Sequence, residues 1–186
     1  TILTRRTADM NSLVNDMLVA ARVEDGSSTS VGEHTDLREV VRQAFSSVEP
    51  RAADGHFLEL VLPDQPILAS VDVDRMTLAI RNLVDNAVKY SPHGGAVRCA
   101  LSVNRGSAVV RVSDHGLGIA EEDRDKLFSR FGRILTTTNS HIPGIGLGLY
   151  FSREVARRHG GDVVLAENGQ EVTAFELTLP LVPAER

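Results

Sequence analysis

The sequence is short of the residues that staple or anchor a chain. One of its 186 residues is cysteine, Cys99, so no internal disulfide can form and no cysteine-based metal knuckle is available. Tryptophan is absent and aromatic residues make up only 4%, so a core must be assembled from Leu, Val, Ile and Ala. No apolar run reaches the ~18 residues that would span a bilayer. Positive charge is in the minority: 20 Lys and Arg face 25 Asp and Glu, a net charge of -5. That balance argues against a nucleic-acid partner, whose binding face is normally basic. There is no internal repeat. The sequence opens at Thr1 without a charged-then-apolar leader, and the expectation is a soluble, intracellular piece of a longer protein. What remains, 42% apolar and 24% charged, suffices for one sizeable core with a small appendage and not for two full domains.

Residues 1–26 read as one amphipathic helix. Leu3, Met10, Leu13, Met17 and Ala21 recur at helical spacing, Val14 and Leu18 widen the stripe, and Gly26 stops it. Such a stripe needs a cover, either the domain itself or the other half of a helical hairpin or dimer. Residues 27–35 form a small-residue linker, and the compact domain runs over 36–186. Asp36 with Glu39 signals a capping box before a helix through Val48. Short strands are expected at 57–62 and 67–71, and a second helix capped by Asp74. A hairpin follows over 96–103 and 108–113, turning at 104–106, then a short helix within 120–131 and a third helix over 147–158. Two closing strands lie near 162–167 and 173–179. Helices interleaved with mostly hairpin-type strands predict an α+β, two-layer α/β sandwich.

Three stretches carry chemistry. In 82–91 (Asn-Leu-Val-Asp-Asn-Ala-Val-Lys-Tyr-Ser), Asn82 and Asn86 share one helix face with Lys89 a turn further on. Two amide oxygens and an ammonium suit a magnesium-bound polyphosphate, since Mg²⁺ needs only one or two protein oxygens when phosphates supply the rest. The same residues also read as a plain solvated face. In 114–119 (Asp-His-Gly-Leu-Gly-Ile), an aspartate at a strand end beside glycines can accept a hydrogen bond from an exocyclic amine, a charge-assisted bond of roughly 1.5–3 kcal/mol. It favours adenine over guanine. In 144–150 (Gly-Ile-Gly-Leu-Gly-Leu-Tyr), glycines opening a helix let backbone amides close on phosphates. The spacing is neither a P-loop nor a Rossmann fingerprint.

In that order and spacing the three stretches resemble the catalytic, ATP-binding domain of bacterial two-component sensor histidine kinases, within the superfamily of gyrase, heat-shock-chaperone and mismatch-repair ATPases. Residues 82–91 match the family's asparagine box, 114–119 and 144–149 its two glycine boxes, and 127–133 (Leu-Phe-Ser-Arg-Phe-Gly-Arg) its phenylalanine box. Residues 10–24 resemble the second helix of the dimerisation and phosphotransfer hairpin. The resemblance implies a Bergerat-type fold, ATP and Mg²⁺ as ligands, and Asn86 as the metal ligand with Asn82 beside the phosphates. It implies that Lys89 neutralises phosphate charge and that Tyr90 lies against the nucleotide. Asp114 would read the adenine amino group, with Thr173 nearby through water. Gly116, Gly118 and Ile119 would shape the base pocket; Gly144, Gly146, Leu147, Gly148 and Leu149 would form the phosphate end. Residues 132–146 would be a flexible lid, Arg130 and Arg133 candidates for the γ-phosphate, and Phe128 and Phe131 core anchors of that lid. Its partners would be the phosphoacceptor hairpin, a response regulator and, in the longer protein, a second copy. The implied place is a cytoplasmic domain of a membrane-anchored parent.

Three positions depart from the family pattern: Ile145 stands for a hydroxyl residue, Gly132 for an aromatic and Val172 for a glycine. None of the six histidines lies on the first helix or in the family's phosphoacceptor setting. The expectation is therefore a chain that donates the γ-phosphate to a histidine supplied elsewhere and cannot phosphorylate itself. A non-catalytic nucleotide-sensing or partner-binding domain is one alternative. A conformational ATPase is the other, weakened because the family's hydrolytic members place a glutamate where Asn82 stands.

Overall fold

The computed structural model describes residues 34–49, 55–132, 146–169 and 172–182. The expected helix over 1–26 and most of the linker lie outside the described residues. The chain runs β1 (His34–Asp36), α1 (Leu37–Ser46), β2 (His56–Val61), β3 (Leu68–Ser70), α2 (Val73–Lys89), β4 (Gly95–Asn104) and β5 (Ser107–Asp114). A 3-10 helix (Glu121–Lys126), α3 (Gly148–Arg158), β6 (Asp162–Asn168) and β7 (Thr173–Pro180) complete it. No described helix is long and apolar enough to cross a membrane.

Five strands form one mixed sheet in the order β2-β4-β5-β7-β6, while β1 and β3 pair separately. β2 runs parallel to β4, a pairing that no tight turn can make, and α2 lies on the crossover between them. The other neighbours are antiparallel. The β4–β5 hairpin turns on Arg105 and Gly106, both at positive φ (47° and 80°) as a type I′ turn requires.

Apolar residues at helical spacing line one face of each helix: Val40, Val41 and Ala44 of α1, Met76, Ile80, Leu83 and Val84 of α2, Phe151 and Val155 of α3. They close on Val97, Cys99, Leu101, Val110, Val112, Leu177 and Leu179 from alternate positions of the sheet. The sheet's other face carries ion pairs, Arg98 with Glu59 and Arg111 with Glu167 and Glu176. A buried Leu, Ile or Phe contributes about 1.5–3 kcal/mol and an exposed pair ~0–1, so the apolar seam fixes the two-layer α+β arrangement.

Two expected helix starts change in detail. Asp36 does cap α1, accepting the Arg38 N–H at 3.1 Å, but Glu39 pairs with Arg42 instead of closing a reciprocal box. The cap of α2 is Asp72, whose carboxylate accepts the Arg75 N–H at 3.0 Å; Asp74 lies in the first turn, where its charge still meets the helix dipole favourably.

Candidate functional site

Asn82, Asn86 and Tyr90 follow one another at four-residue intervals and so form one stripe of α2. At the C-terminal end of this stripe Tyr90 caps the helix, and its carbonyl accepts the Leu117 N–H at 2.9 Å. Towards the other end Asn82 lies against Gly148, the first residue of α3; a Cβ on that glycine would stand 3.8 Å from Asn82 Cβ and Cγ. One face of one helix thus touches both glycine-bearing stretches. The buried Ser152 hydroxyl sits between the two helices, 2.9 Å from the Ala79 carbonyl of α2 and 2.9 Å from the Gly148 carbonyl of α3, with one proton to donate to either.

Asn82 Nδ2 is buried and has no hydrogen-bond partner among the described residues. A buried donor without an acceptor costs about 1–3 kcal/mol, so this amide is placed to gain from an incoming acceptor. Lys89, the cation of the same stretch, has its ammonium 2.7 Å from Asp85 one turn back.

Asp114 ends β5, opposite Val97 of β4 and Thr173 of β7, and is only 4% exposed. Its Oδ1 accepts the Gly116 N–H at 2.9 Å, which folds the chain sharply back towards α2. Gly116 has no room for a side chain: a Cβ would sit 2.2 Å from the Tyr90 carbonyl oxygen and 2.8 Å from Asp114 Oδ1. Burial pushes the Asp114 carboxyl up from 3.8 to about 6, against the opposing pull of the Gly116 N–H, His115 and the Ser91 hydroxyl. Ser91 is itself buried and reaches the Ala87 carbonyl at 2.8 Å. A hydroxyl has one proton, so it donates to the Ala87 carbonyl or to the Asp114 carboxylate and not to both at once.

Gly118 and Ile119 continue the loop from Gly116, and Ile119 is bonded through its main chain to Asn168. Thr173, cross-strand from Asp114, is buried. Gly146 is at φ 75°; Leu147 is buried and caps α3; Leu149 packs half-buried against the core. Arg130 is exposed, with its guanidinium 5.5 Å from the Phe131 ring centroid. Arg133, Gly144 and Ile145 lie outside the described residues, as does most of the lid expected over 132–146.

The expectation that both aromatics of 127–133 are core anchors holds for one of them. Phe128 packs edge-on against Phe175 (6.2 Å) and under the Arg153 guanidinium (4.5 Å). Phe131 is 59% exposed at φ 62°, because the chain turns left-handed there and carries the ring away from the core. Sequence spacing put both rings on the same short element. The turn after the 3-10 helix separates them.

The family described as histidine kinase-, DNA gyrase B-, and HSP90-like ATPase matches residues 71–183, which hold every element described above from α2 to β7. The chain belongs to this family. Among its sensor-kinase relatives is the sensor histidine kinase MtrB of Mycolicibacterium paratuberculosis, 35% identical over 172 residues, 92% of this chain and 30% of MtrB. A mycobacterial sensor histidine kinase, MprB, superposes with a TM-score of 0.68 at 32% identity, covering 82% of this chain and 99% of that structure. Full-length ShkA in complex with AMPPNP superposes with a TM-score of 0.75 at 27% identity, over 97% of this chain and 38% of ShkA. The chain spans less than a third of the curated relatives' own length, 12% for hybrid signal transduction histidine kinase D of Dictyostelium discoideum. The matched residues 71–183 include every candidate site residue from Asn82 to Thr173. Two supporting residues carried no signal of their own. Ser91 closes the asparagine-rich stretch without an assigned role, and Asn168 lies just past the strand expected near 162–167.

Proposed function

We propose that this chain is the Mg-ATP-binding catalytic domain of a two-component sensor histidine kinase. One observation carries the reading: a single α2 face bears a buried amide nitrogen with no partner among the described residues and joins the glycine-lined start of α3 to the loop that begins at a buried carboxylate. Asp114 would accept the adenine amino group, with Thr173 beside it and Gly116, Gly118 and Ile119 shaping the base pocket. Asn82 would donate to phosphate, and Gly144, Gly146, Leu147, Gly148 and Leu149 would present the start of α3 to the phosphate end. Tyr90 would lie against the nucleotide; Lys89, Arg130 and Arg133 would supply positive charge.

Mg²⁺ fits Asn86, whose amide oxygen is a hard ligand, provided phosphates complete the shell. Among the described residues no group of three or more His, Cys, Asp and Glu is placed to hold a metal without them. The ion would neutralise phosphate charge there; the chain itself binds and orients the nucleotide. Asn82 is an amide and cannot take a proton from water, which favours transfer to a nucleophile over hydrolysis. That nucleophile would be a histidine on a phosphoacceptor hairpin, whose second helix residues 1–26 would supply, and the phosphoryl group would pass on to a response regulator. We place this domain in the cytoplasm of a membrane-anchored, homodimeric parent.

The test is reconstitution. The chain, a separately made phosphoacceptor hairpin and Mg-ATP should yield acid-labile phosphate on the hairpin, and Asn86→Ala should abolish it along with the Mg²⁺ dependence of ADP-analogue binding. Steady ATP hydrolysis by the chain alone, lost in Asn86→Ala, would instead establish the conformational ATPase.

A further inference from the structure

We infer that Asn168 is a positioning residue of the adenine pocket, brought to it by a β-bulge in β6; the inference rests on the nucleotide reading of the site. In β6, Val163 is buried and Leu165 half-buried against the core, so strict alternation would turn residue 167 inward and Asn168 outward. The pairing with β7 breaks that alternation. Leu165 opposes Phe175, but the next residue opposite Ala174 is Glu167, and Asn168 then opposes Thr173. Ala166 is the extra residue, and Ala166 and Glu167 are both exposed. An inserted residue swaps the faces of everything after it, so Asn168 joins the row of Thr173 and Asp114 on the helix-facing side.

There its amide engages the main chain of Ile119 at both groups. Oδ1 accepts the Ile119 N–H at 3.0 Å and Nδ2 donates to the Ile119 carbonyl at 2.6 Å. The loop from Asp114 is then held at each end. Upstream, Asp114 takes the Gly116 N–H and Tyr90 takes the Leu117 N–H. Downstream, Asn168 fixes Ile119. Between them Gly118 sits at φ 67°, a conformation with wide freedom once its neighbour is released. The upstream anchors sit at the end of β5 and at the C-terminal cap of α2, the downstream one on the edge strand β6, so the loop is held at both ends only while Asn168 is in place. Asn168 needs no contact with the base to act; it sets the wall that Ile119 and Gly118 present to it.

The test compares the unmodified chain, Asn168→Ala and Glu167→Ala in competition of ADP and of GDP against a fluorescent ADP analogue, with amide exchange followed at Ile119. Asn168→Ala should weaken ADP about tenfold, the loss expected from two neutral hydrogen bonds, change GDP less than about twofold, and speed exchange at Ile119. Glu167→Ala removes an outer-face partner of Arg111 and should leave both affinities unchanged. Unchanged ADP affinity in Asn168→Ala, or an equal loss for ADP and GDP, would overturn the positioning role. Failure of the unmodified chain to bind the analogue would instead overturn the nucleotide reading, and with it this inference.

Discussion

Replacing Asp114 by asparagine should make the protein more stable and a poorer nucleotide binder at once. The carboxyl is 4% exposed and burial raises it from 3.8 to about 6. A carboxyl raised in the folded state contributes its full share of stability when protonated in both states, below about pH 4. That share is lost as pH rises to about 6, where the folded protein finally ionises too. The gap corresponds to about 3 kcal/mol of folding free energy sacrificed at neutral pH. Asparagine occupies the same volume, keeps an oxygen for the Gly116 N–H, and gives Ser91 an N–H while Ser91 donates to Ala87. Asp114→Asn should therefore gain about 1–3 kcal/mol at pH 7.5, or ~3–9 °C in melting temperature, and nothing below pH 4. The same variant should bind ADP roughly 10- to 100-fold more weakly, because a charge-assisted hydrogen bond becomes a mismatched one. Thermal unfolding at pH 7.5 and 4, with ADP titration at pH 7.5, measures all of this. A variant less stable than the parent at pH 7.5, or equally stabilised at both pH values, refutes the burial reasoning. Unchanged ADP affinity refutes the base contact.

Gly116→Ala places a methyl group 2.2 Å from the Tyr90 carbonyl, so the loop must separate from α2. Urea unfolding should show a loss of about 1–3 kcal/mol, and ADP binding should fall with it. Arg153→Ala removes the guanidinium that bonds Asp162 (2.8 and 3.0 Å) and covers Phe128. That guanidinium holds the Asp162 carboxyl down to about 2, so the stability it confers is present above about pH 4 and fades as pH falls towards 2. With the pair about one-third exposed, solvent screening leaves about 1–2 kcal/mol at pH 7, which urea unfolding at pH 7 and pH 2.5 should show shrinking. Asn86→Ala should lose the Mg²⁺ dependence of nucleotide binding while unfolding near the parent's urea midpoint, because the side chain is half-buried and does not belong to the apolar core.

The helices were legible because their apolar residues repeat at a fixed interval: Val40, Val41 and Ala44, or Ile80, Leu83 and Val84, can be buried together only on a helix. The β4–β5 turn was legible because Arg105-Gly106 sits between two alternating segments. Asn82 and Asn86 could be placed on one face by spacing alone. Long-range geometry had no such local signature. The parallel pairing of β2 with β4, the seating of Gly116 under the Tyr90 carbonyl and of Gly148 beside Asn82 each join segments far apart in sequence. Their cost or gain exists only once both partners are in place. The face of Asn168 could not be read from sequence, since it depends on an extra residue in β6 that only the pairing with β7 reveals. The burial that raises Asp114 is likewise collective, the sum of three strands and a helix end excluding water from one carboxyl. The sequence by itself determined which elements form and which chemical groups are available, because those depend on neighbours a few residues away. The tertiary structure decided which groups meet and how they ionise, because those depend on what the folded chain keeps away from water.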